Sequence, residues 1–415
     1  MPGWMSLYYD QPISLVDGEG CWVTDAEGRR YLDFFGGILT TMVGHNVPEV
    51  VEAIRVQAGR ILHTSTLYLI EPMIELAERI AALSGIPNAR VFFTTSGSEA
   101  NEAALLLATS LRRSNQVLAL RGSYHGRSYA TMAVTGNRSW SASGLSPLDV
   151  SWVQGGYRYR SPFAGLDDAA YIEACVDDLR MVLDTTTSGD VACMIAEPIQ
   201  GVGGFLVPPD GLLGAFAKVL DERAIPLVSD EVQTGWGRTG DHFWGIDAHG
   251  VVPAAMTFAK GLANGVGIAG VVATEELMAS VGANSISTFG GNPVAAVAAL
   301  ATLDHLLRHD LQANAQRVGA RLKAGVEALA AERPAVGEVR GRGLMVGVEL
   351  VRPGSTAPDP SAAAAVLEAA RGAGLLVGKG GLYGNVLRIA PPLSLSESEA
   401  DEGLGRLEKA FSALA

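Results

Sequence analysis

Apolar and polar positions change period along the chain. Residues 21–35 (CWVTDAEGRRYLDFF) alternate around the turn residues Asp25–Gly28, which predicts a small β-hairpin. Residues 48–60 and 71–84 carry apolar positions at helical spacing. From about 91 onward, short apolar runs bounded by turn residues alternate with helical stretches. The runs are VFFTT 91–95, QVLALRG 116–122, VACMIAEP 191–198, IPLVSDEV 225–232, MTFAKG 256–261 and GVVAT 270–274; helices are predicted over 97–113 and 210–223. Several runs are apolar throughout, as strands covered on both faces are. The alternation predicts an α/β domain with a mainly parallel central sheet.

Beyond about 292 the pattern shifts. An Ala/Leu-rich helical stretch runs through 292–332, followed by GRGLMVGVEL at 341–350, a helix over 361–372, a strand at 385–389 and a helix over 397–414. PGSTAPDPS at 353–361 reads as a surface connection. This predicts a smaller α+β domain. Chain termini often lie close together, so residues 1–48 are expected to join the small domain 301–415, flanking a large domain 49–300. With 415 residues, two or three domains of roughly 100–200 residues are expected.

Charge removes some functions. Lys+Arg number 31 against 44 Asp+Glu, a net charge of −13. Nucleic-acid binding and adhesion to anionic membranes both need a basic surface, so neither is expected. Cys21, Cys175 and Cys193 are an odd set without close spacing, so the expectation is reduced, buried thiols and a cytoplasmic protein. The opening MPGWMSLYYDQP has no basic stretch leading into an apolar one, so no signal peptide is read there. The apolar runs at 266–274 and 293–303 fall well short of a membrane span.

Four motifs follow predicted strands, where open α/β sheets bind ligands. Ser96-Gly97-Ser98-Glu99-Ala100-Asn101 opens a helix with small residues and free backbone N–H groups, a phosphate site or an ordinary N-cap. Asp230-Glu231 ends a buried strand and either caps it or holds a cationic group. Lys260 follows MTFA; it snorkels to water or, if desolvated, becomes a nucleophilic amine. Tyr124-His125-Gly126-Arg127 offers a flat ring, an imidazole and a guanidinium, or a turn with a half-buried Tyr. One ligand uses the whole set: pyridoxal 5'-phosphate needs a lysine, a stacking face, an acid for its ring nitrogen and a cradle for its phosphate.

Other patterns fail. Gly265–Gly270 matches GxGxxG but leads into a strand-like run, and GLLVGK at 374–379 lacks P-loop spacing. His305 and His309 lie four apart on a helix without a recognisable third ligand, and His242 and His249 have no metal-like partner, so no metal is expected.

TTSGSEANEAA, GSYHGRSYA, AEPIQGVGG, SDEVQTGWGRTG, TFAKGLANG, STFGGNP and LRIAPPL together resemble the class III (ω-amino acid type) aminotransferases of the fold-type I pyridoxal-phosphate superfamily, over nearly the whole chain. YLDFFGGILTTMVGHN, LHTSTLY, DHFWGIDAHGVVP and LLVGKG resemble the alanine–glyoxylate aminotransferase 2-like subgroup. The resemblance implies that Lys260 carries the cofactor covalently and later shuttles protons. Asp230 would pair with the pyridine nitrogen, and Gln233, beside Val232, would bond the ring hydroxyl. Gly97 and Ser98 would hold the phosphate, Tyr124 would stack on the ring next to His125, and Glu197 would support the site from behind. Thr288 would reach a neighbouring subunit's phosphate, implying a homodimer with shared sites, or a dimer of dimers. Arg388 would grip a substrate carboxylate. Tyr8, Tyr9, Phe35, Ile38, Leu39, Thr40 and Tyr68 would shape the substrate pocket.

One departure bears on substrate. Where members using 2-oxoglutarate often have a second glutamate after EPxQG, this chain has Val202, leaving Arg388 open to small keto acids such as pyruvate or glyoxylate. Arg127 matches a carboxylate-binding arginine of 4-aminobutyrate transaminases, so ω-amino donors stay open. The expected function is amino transfer from an α-, β- or ω-amino acid to a small keto acid by a ping-pong route. The alternatives are a 4-aminobutyrate-type enzyme using 2-oxoglutarate, a related racemase or decarboxylase, and a non-catalytic cofactor-binding protein.

Overall fold

The computed structural model describes Met5 and residues 7–414; the other positions of the 1–48 and 301–415 segments, and part of the opening stretch read for a signal peptide, lie outside the described residues. Among the described residues the strands form three sheets. The largest has seven strands, in the order Arg90–Thr94, Ala269–Ala273, Ala255–Phe258, Leu227–Asp230, Val191–Ala196, Gln116–Leu120 and Asp149–Val153. Ala269–Ala273 is antiparallel to both neighbours, and the remaining pairs are parallel. Six strands therefore run the same way and present their carboxyl ends on one edge. Every residue of Val191–Ala196 and of Ala269–Ala273 is buried, so these strands read as unbroken apolar runs.

The helices start where the sequence offers caps. The Ser96 side chain accepts from Glu99 N to open Gly97–Arg112, and Asn292 accepts from Ala295 N with Pro293 following to open Pro293–Arg308. Glu71–Ser84 stops at Gly85, whose φ of 67° is left-handed. The 292–332 stretch is two helices rather than one. Pro293–Arg308 ends at His309, and Asp310, at φ 46°, caps Leu311–Ala331 through Ala313 N. An Asp in mid-pattern was the missed break signal.

The predicted hairpin, Trp22–Asp25 and Arg30–Asp33, is there, extended by Leu15–Glu19 into a meander. Leu375–Leu376 adds to it in parallel, pairing Leu375 with Leu32. The third sheet is antiparallel, in the order Val336–Arg342, Met345–Leu350, Val386–Ile389 and Gly378–Gly380. The strand Asp149–Val153 and the helix Asp168–Thr185 were not anticipated. The first is a half-exposed edge strand whose Asp149 and Ser151 hide its period.

Candidate active site

The carboxyl edge of the large sheet gathers the predicted motifs. A cavity of about 280 Å³ is lined by Thr40, the 95–98 turn, Asn101, Tyr124–Gly126, Glu197, Asp230, Val232, Gln233, Lys260 and residues 265–268. Gly265 and Gly267 of the rejected GxGxxG thus form a wall ahead of a strand, which holds Gly270, rather than a helix N-terminus.

Lys260 opens a short 3₁₀ turn at φ 45°, a conformation a non-glycine residue holds only where its surroundings impose it. Among the described residues its amine has no hydrogen-bond or ion-pair partner. Burial lowers its pKa to about 8; the negative charges of Asp230 and Glu197 oppose the shift and the charge of Arg388 adds to it.

Asp230 is held from two sides. Its Oδ2 accepts from Asn101 Nδ2 at 2.7 Å and lies 2.8 Å from His125 Nδ1, while its Oδ1 accepts from Val232 N at 3.1 Å. Asn101 is in turn fixed: it donates to the His125 carbonyl at 2.8 Å and accepts from Thr257 Oγ1 at 2.6 Å. His125 Nε2 is buried without a partner. Glu197 lies behind, accepting from Tyr124 N and Gly201 N, both at 2.8 Å. Burial pushes its carboxyl up to about 7, with Asp230 adding to the rise and His125 opposing it.

The predicted phosphate cradle is the start of Gly97–Arg112. A Cβ at Gly97 would lie 3.1 Å from Val232 Cγ1, so Val232 and the glycine shape the same wall. Ser98 Oγ accepts from Arg127 N at 3.1 Å. Gly126, at φ 141°, lets the chain pass there, since a Cβ would sit 2.6 Å from Ser98 Oγ. The Tyr124 ring meets Trp140 edge-on, with centroids 5.6 Å apart.

Arg388, on Val386–Ile389, is buried and donates to Gln233 Oε1 at 2.8 Å. Its guanidinium lies 4.7 Å from the Phe205 ring centroid and 5.1 Å from that of Phe35, and its Nε has no partner. Among the described residues no carboxylate pairs with it, and Val202 is buried. Gln233, expected at the ring hydroxyl, here turns its oxygen to Arg388.

The other predicted residues are more scattered. Thr288 is exposed and does not line this cavity. Arg127 is exposed at the cradle. The Tyr8 hydroxyl donates to the Lys379 carbonyl at 3.4 Å, and its ring packs 5.8 Å from Phe35 in a second cavity of about 340 Å³ that also holds Tyr9. Ile38 and Tyr68 are exposed, whereas Leu39 is buried. Asn101, Thr257, Phe205 and Trp140 were given no role in the sequence. For Asn101 there was a signal: an amide among the alanines and leucines of an inward helix face must find partners.

A partnerless, partly buried lysine, a braced aspartate, a helix N-terminus narrowed by Gly97 and an aromatic wall fit pyridoxal phosphate and define a fold-type I transferase of that cofactor. The class-III aminotransferase family model matches residues 6–411. Alanine–glyoxylate aminotransferase 2 homolog 2, mitochondrial, from Arabidopsis thaliana is 38% identical over 96% of this chain and 82% of its own. The acetylornithine aminotransferase of Mycolicibacterium smegmatis is 41% identical over 96% and 93%. A PLP-bound amine transaminase structure from an uncultivated Pseudomonas species superposes with a TM-score of 0.94 at 31% identity, covering 100% of this chain and 98% of that one. The chain belongs to the class-III aminotransferases and is a pyridoxal-phosphate-dependent transaminase.

Proposed function

We propose that the enzyme takes an amino group from an α-, β- or ω-amino acid and passes it to a small keto acid of the pyruvate or glyoxylate kind, in a ping-pong cycle. The carrying observation is Arg388, which is buried and without a carboxylate partner, on the far side of Gly380 from the backbone of a buried Val202. A desolvated guanidinium with an unused Nε is a strong receptor for one small carboxylate. The plant relative's name, with alanine and glyoxylate in it, agrees with this reading.

Bound pyridoxal phosphate supplies an electrophilic carbonyl and a ring that takes up electron density. Lys260 would bind it covalently and, once displaced by the donor amine, move the proton between donor and cofactor carbons; a pKa of about 8 suits both tasks. Asp230, held by Asn101 and His125, would keep a proton on the ring nitrogen. Tyr124 would cover one ring face, Gln233 would stand by the ring hydroxyl, and Gly97 with Ser98 would bind the phosphate. Glu197 would brace the Tyr124 and Gly201 backbones. Arg127 and Tyr8 would border the substrate path.

Thr288, exposed and outside its own chain's cavity, fits a role in a neighbouring copy's phosphate site, and so a homodimer with shared sites. The pairing of Leu375–Leu376 with Arg30–Asp33 supports grouping 1–48 with 301–415 around 49–300. Three free, buried cysteines support a cytoplasmic setting, and among the described residues no helix is long and apolar enough to cross a membrane.

The test is a half-reaction screen. Alanine, β-alanine, 4-aminobutyrate and 3-aminoisobutyrate are each added alone and conversion of the cofactor to its amine form is followed; pyruvate, glyoxylate or 2-oxoglutarate is then added to reverse it. Stoichiometric conversion and faster reversal by pyruvate or glyoxylate are expected. Preferential reversal by 2-oxoglutarate overturns the acceptor assignment, and a racemised donor over unchanged cofactor overturns transamination.

A further inference from the structure

Away from the active site, helix Pro48–Ala58 packs against helix Pro293–Arg308, bringing Glu49 in the first turn of one beside His305 and His309 at the end of the other. Spacing alone offered the two histidines no third ligand; the fold supplies one. A ligand atom from each of the three residues lies within 4.8 Å of the others. We propose that Glu49, His305 and His309 form a binding site for a divalent transition-metal ion of the zinc class, clipping the two helices together.

Four observations converge on it. Histidines four apart on a helix project on one face, which suits joint ligation. His305 Nδ1 is buried without a hydrogen-bond partner, 3.6 Å from Glu49 Oε2. The imidazole ring centroids lie 4.4 Å apart, close enough for both rings to reach one ion. The ion would also sit at a helix C-terminus, where the backbone dipole favours positive charge.

The ligand chemistry is consistent. Two imidazoles and a carboxylate select zinc, cobalt, nickel or copper over magnesium and calcium, which prefer oxygen sets. A tetrahedral ion with bonds of about 2.0–2.2 Å needs the ligands drawn closer than they stand. Glu49 and His309 are exposed and can make that move. Arg308 Nη1, 3.8 Å from Glu49 Oε1, competes for the carboxylate but on its other oxygen. Both rings open onto a groove of about 580 Å³ lined by Ser394, Ser396 and Glu397, which gives solvent access to the remaining coordination positions.

The experiment titrates the holoenzyme with Zn²⁺ by calorimetry, and with Co²⁺ to follow its ligand-field absorbance. One ion per subunit is expected, together with a rise in melting temperature. H309A and E49Q, both at exposed positions, should each weaken binding by about 10–100-fold and remove the thermal shift. H242A should bind like the parent. No saturable uptake by the parent, or uptake unchanged in H309A and E49Q, overturns the site.

Discussion

Two buried charge clusters in this molecule have opposite fates. Glu349, on Met345–Leu350, accepts from Tyr157 Oη at 2.7 Å, Arg160 Nε at 2.6 Å and Arg340 Nη1 at 2.7 Å. Burial pushes its carboxyl up, but the Arg340 charge and the hydrogen bonds from Tyr157, Arg340 and Arg160 prevail and hold it below its usual range. Arg340 Nε also donates to the Gly204 carbonyl at 2.9 Å, tying this cluster to the turn that carries Phe205 under Arg388. Glu197 is equally sealed but meets backbone N–H groups, His125 and the like charge of Asp230, and burial carries it up to about 7. Lys260 loses ground the same way. For groups that are all desolvated, the partners decide whether burial prevails. One cluster sets its carboxylate against two guanidiniums, while the other keeps an amine without a partner and a guanidinium without a carboxylate.

The strongest way to break that contrast is to remove the uncommitted amine. Lys260→Ala should lower steady-state amino transfer by about 10⁴-fold, the upper end of what a positioned base contributes, while the purified protein still retains cofactor by absorbance. Turnover near the parent's would show that the amine is a bystander.

Exchanging one carboxylate in each cluster sharpens the comparison. Glu349→Gln leaves the half-buried Arg160 beside a neutral amide and the buried Arg340 with Glu338 as its remaining carboxylate, and should cost about 3 kcal/mol in urea unfolding, with kcat per folded enzyme nearly unchanged. Asp230→Asn should do the reverse. Activity should fall by about 10²–10⁴-fold, as for loss of a group tuning a proton transfer, with little loss of stability. If both variants lose both properties alike, the two clusters are one functional unit.

Much of the cavity's cofactor side was legible because Asp230, Lys260, Tyr124 and Glu197 end or follow strands of the large sheet. An apolar run ending in Asp230 or Lys260 marks a sheet edge, and the small residues 96–98 mark a helix start. The missed parts are those a linear pattern does not carry. Asn101 is needed by His125 and Asp230, 24 and 129 residues away. Glu49 meets His305 only because two distant helices pack. The break at Asp310 was hidden because helical spacing resumes at once on its far side.

A smaller effect concerns pH. The Lys260 pKa falls on folding from 10.5 to about 8. The cost of burying its charge is therefore fully present below about pH 8 and fades as pH rises toward 10.5. Since only the free amine attacks a carbonyl, the rate of pyridoxal phosphate uptake by apoenzyme should rise with a midpoint near 8. A midpoint near that of an ordinary lysine would show that the amine is solvated in the cofactor-free protein.

The smallest effect separates aromatic contacts that hold a ligand from those that hold the fold. Trp140 is half-exposed and meets Tyr124 edge-on, whereas Trp236 is buried against Trp244, Phe243 and Phe258. An edge-on pair is worth about 0.5–1.5 kcal/mol beyond its buried area, and exposure places Trp140 toward the lower end. Trp140→Leu leaves the Tyr124 ring freer to tilt, so the ring should stack less firmly on the cofactor. The dissociation constant for pyridoxal phosphate should rise by about two- to tenfold, with kcat at saturating cofactor and the urea midpoint unchanged. Trp236→Leu should lower the urea midpoint and leave cofactor affinity alone. A fall in kcat for Trp140→Leu at saturating cofactor would place that indole in the substrate's path and not merely behind the stacking ring.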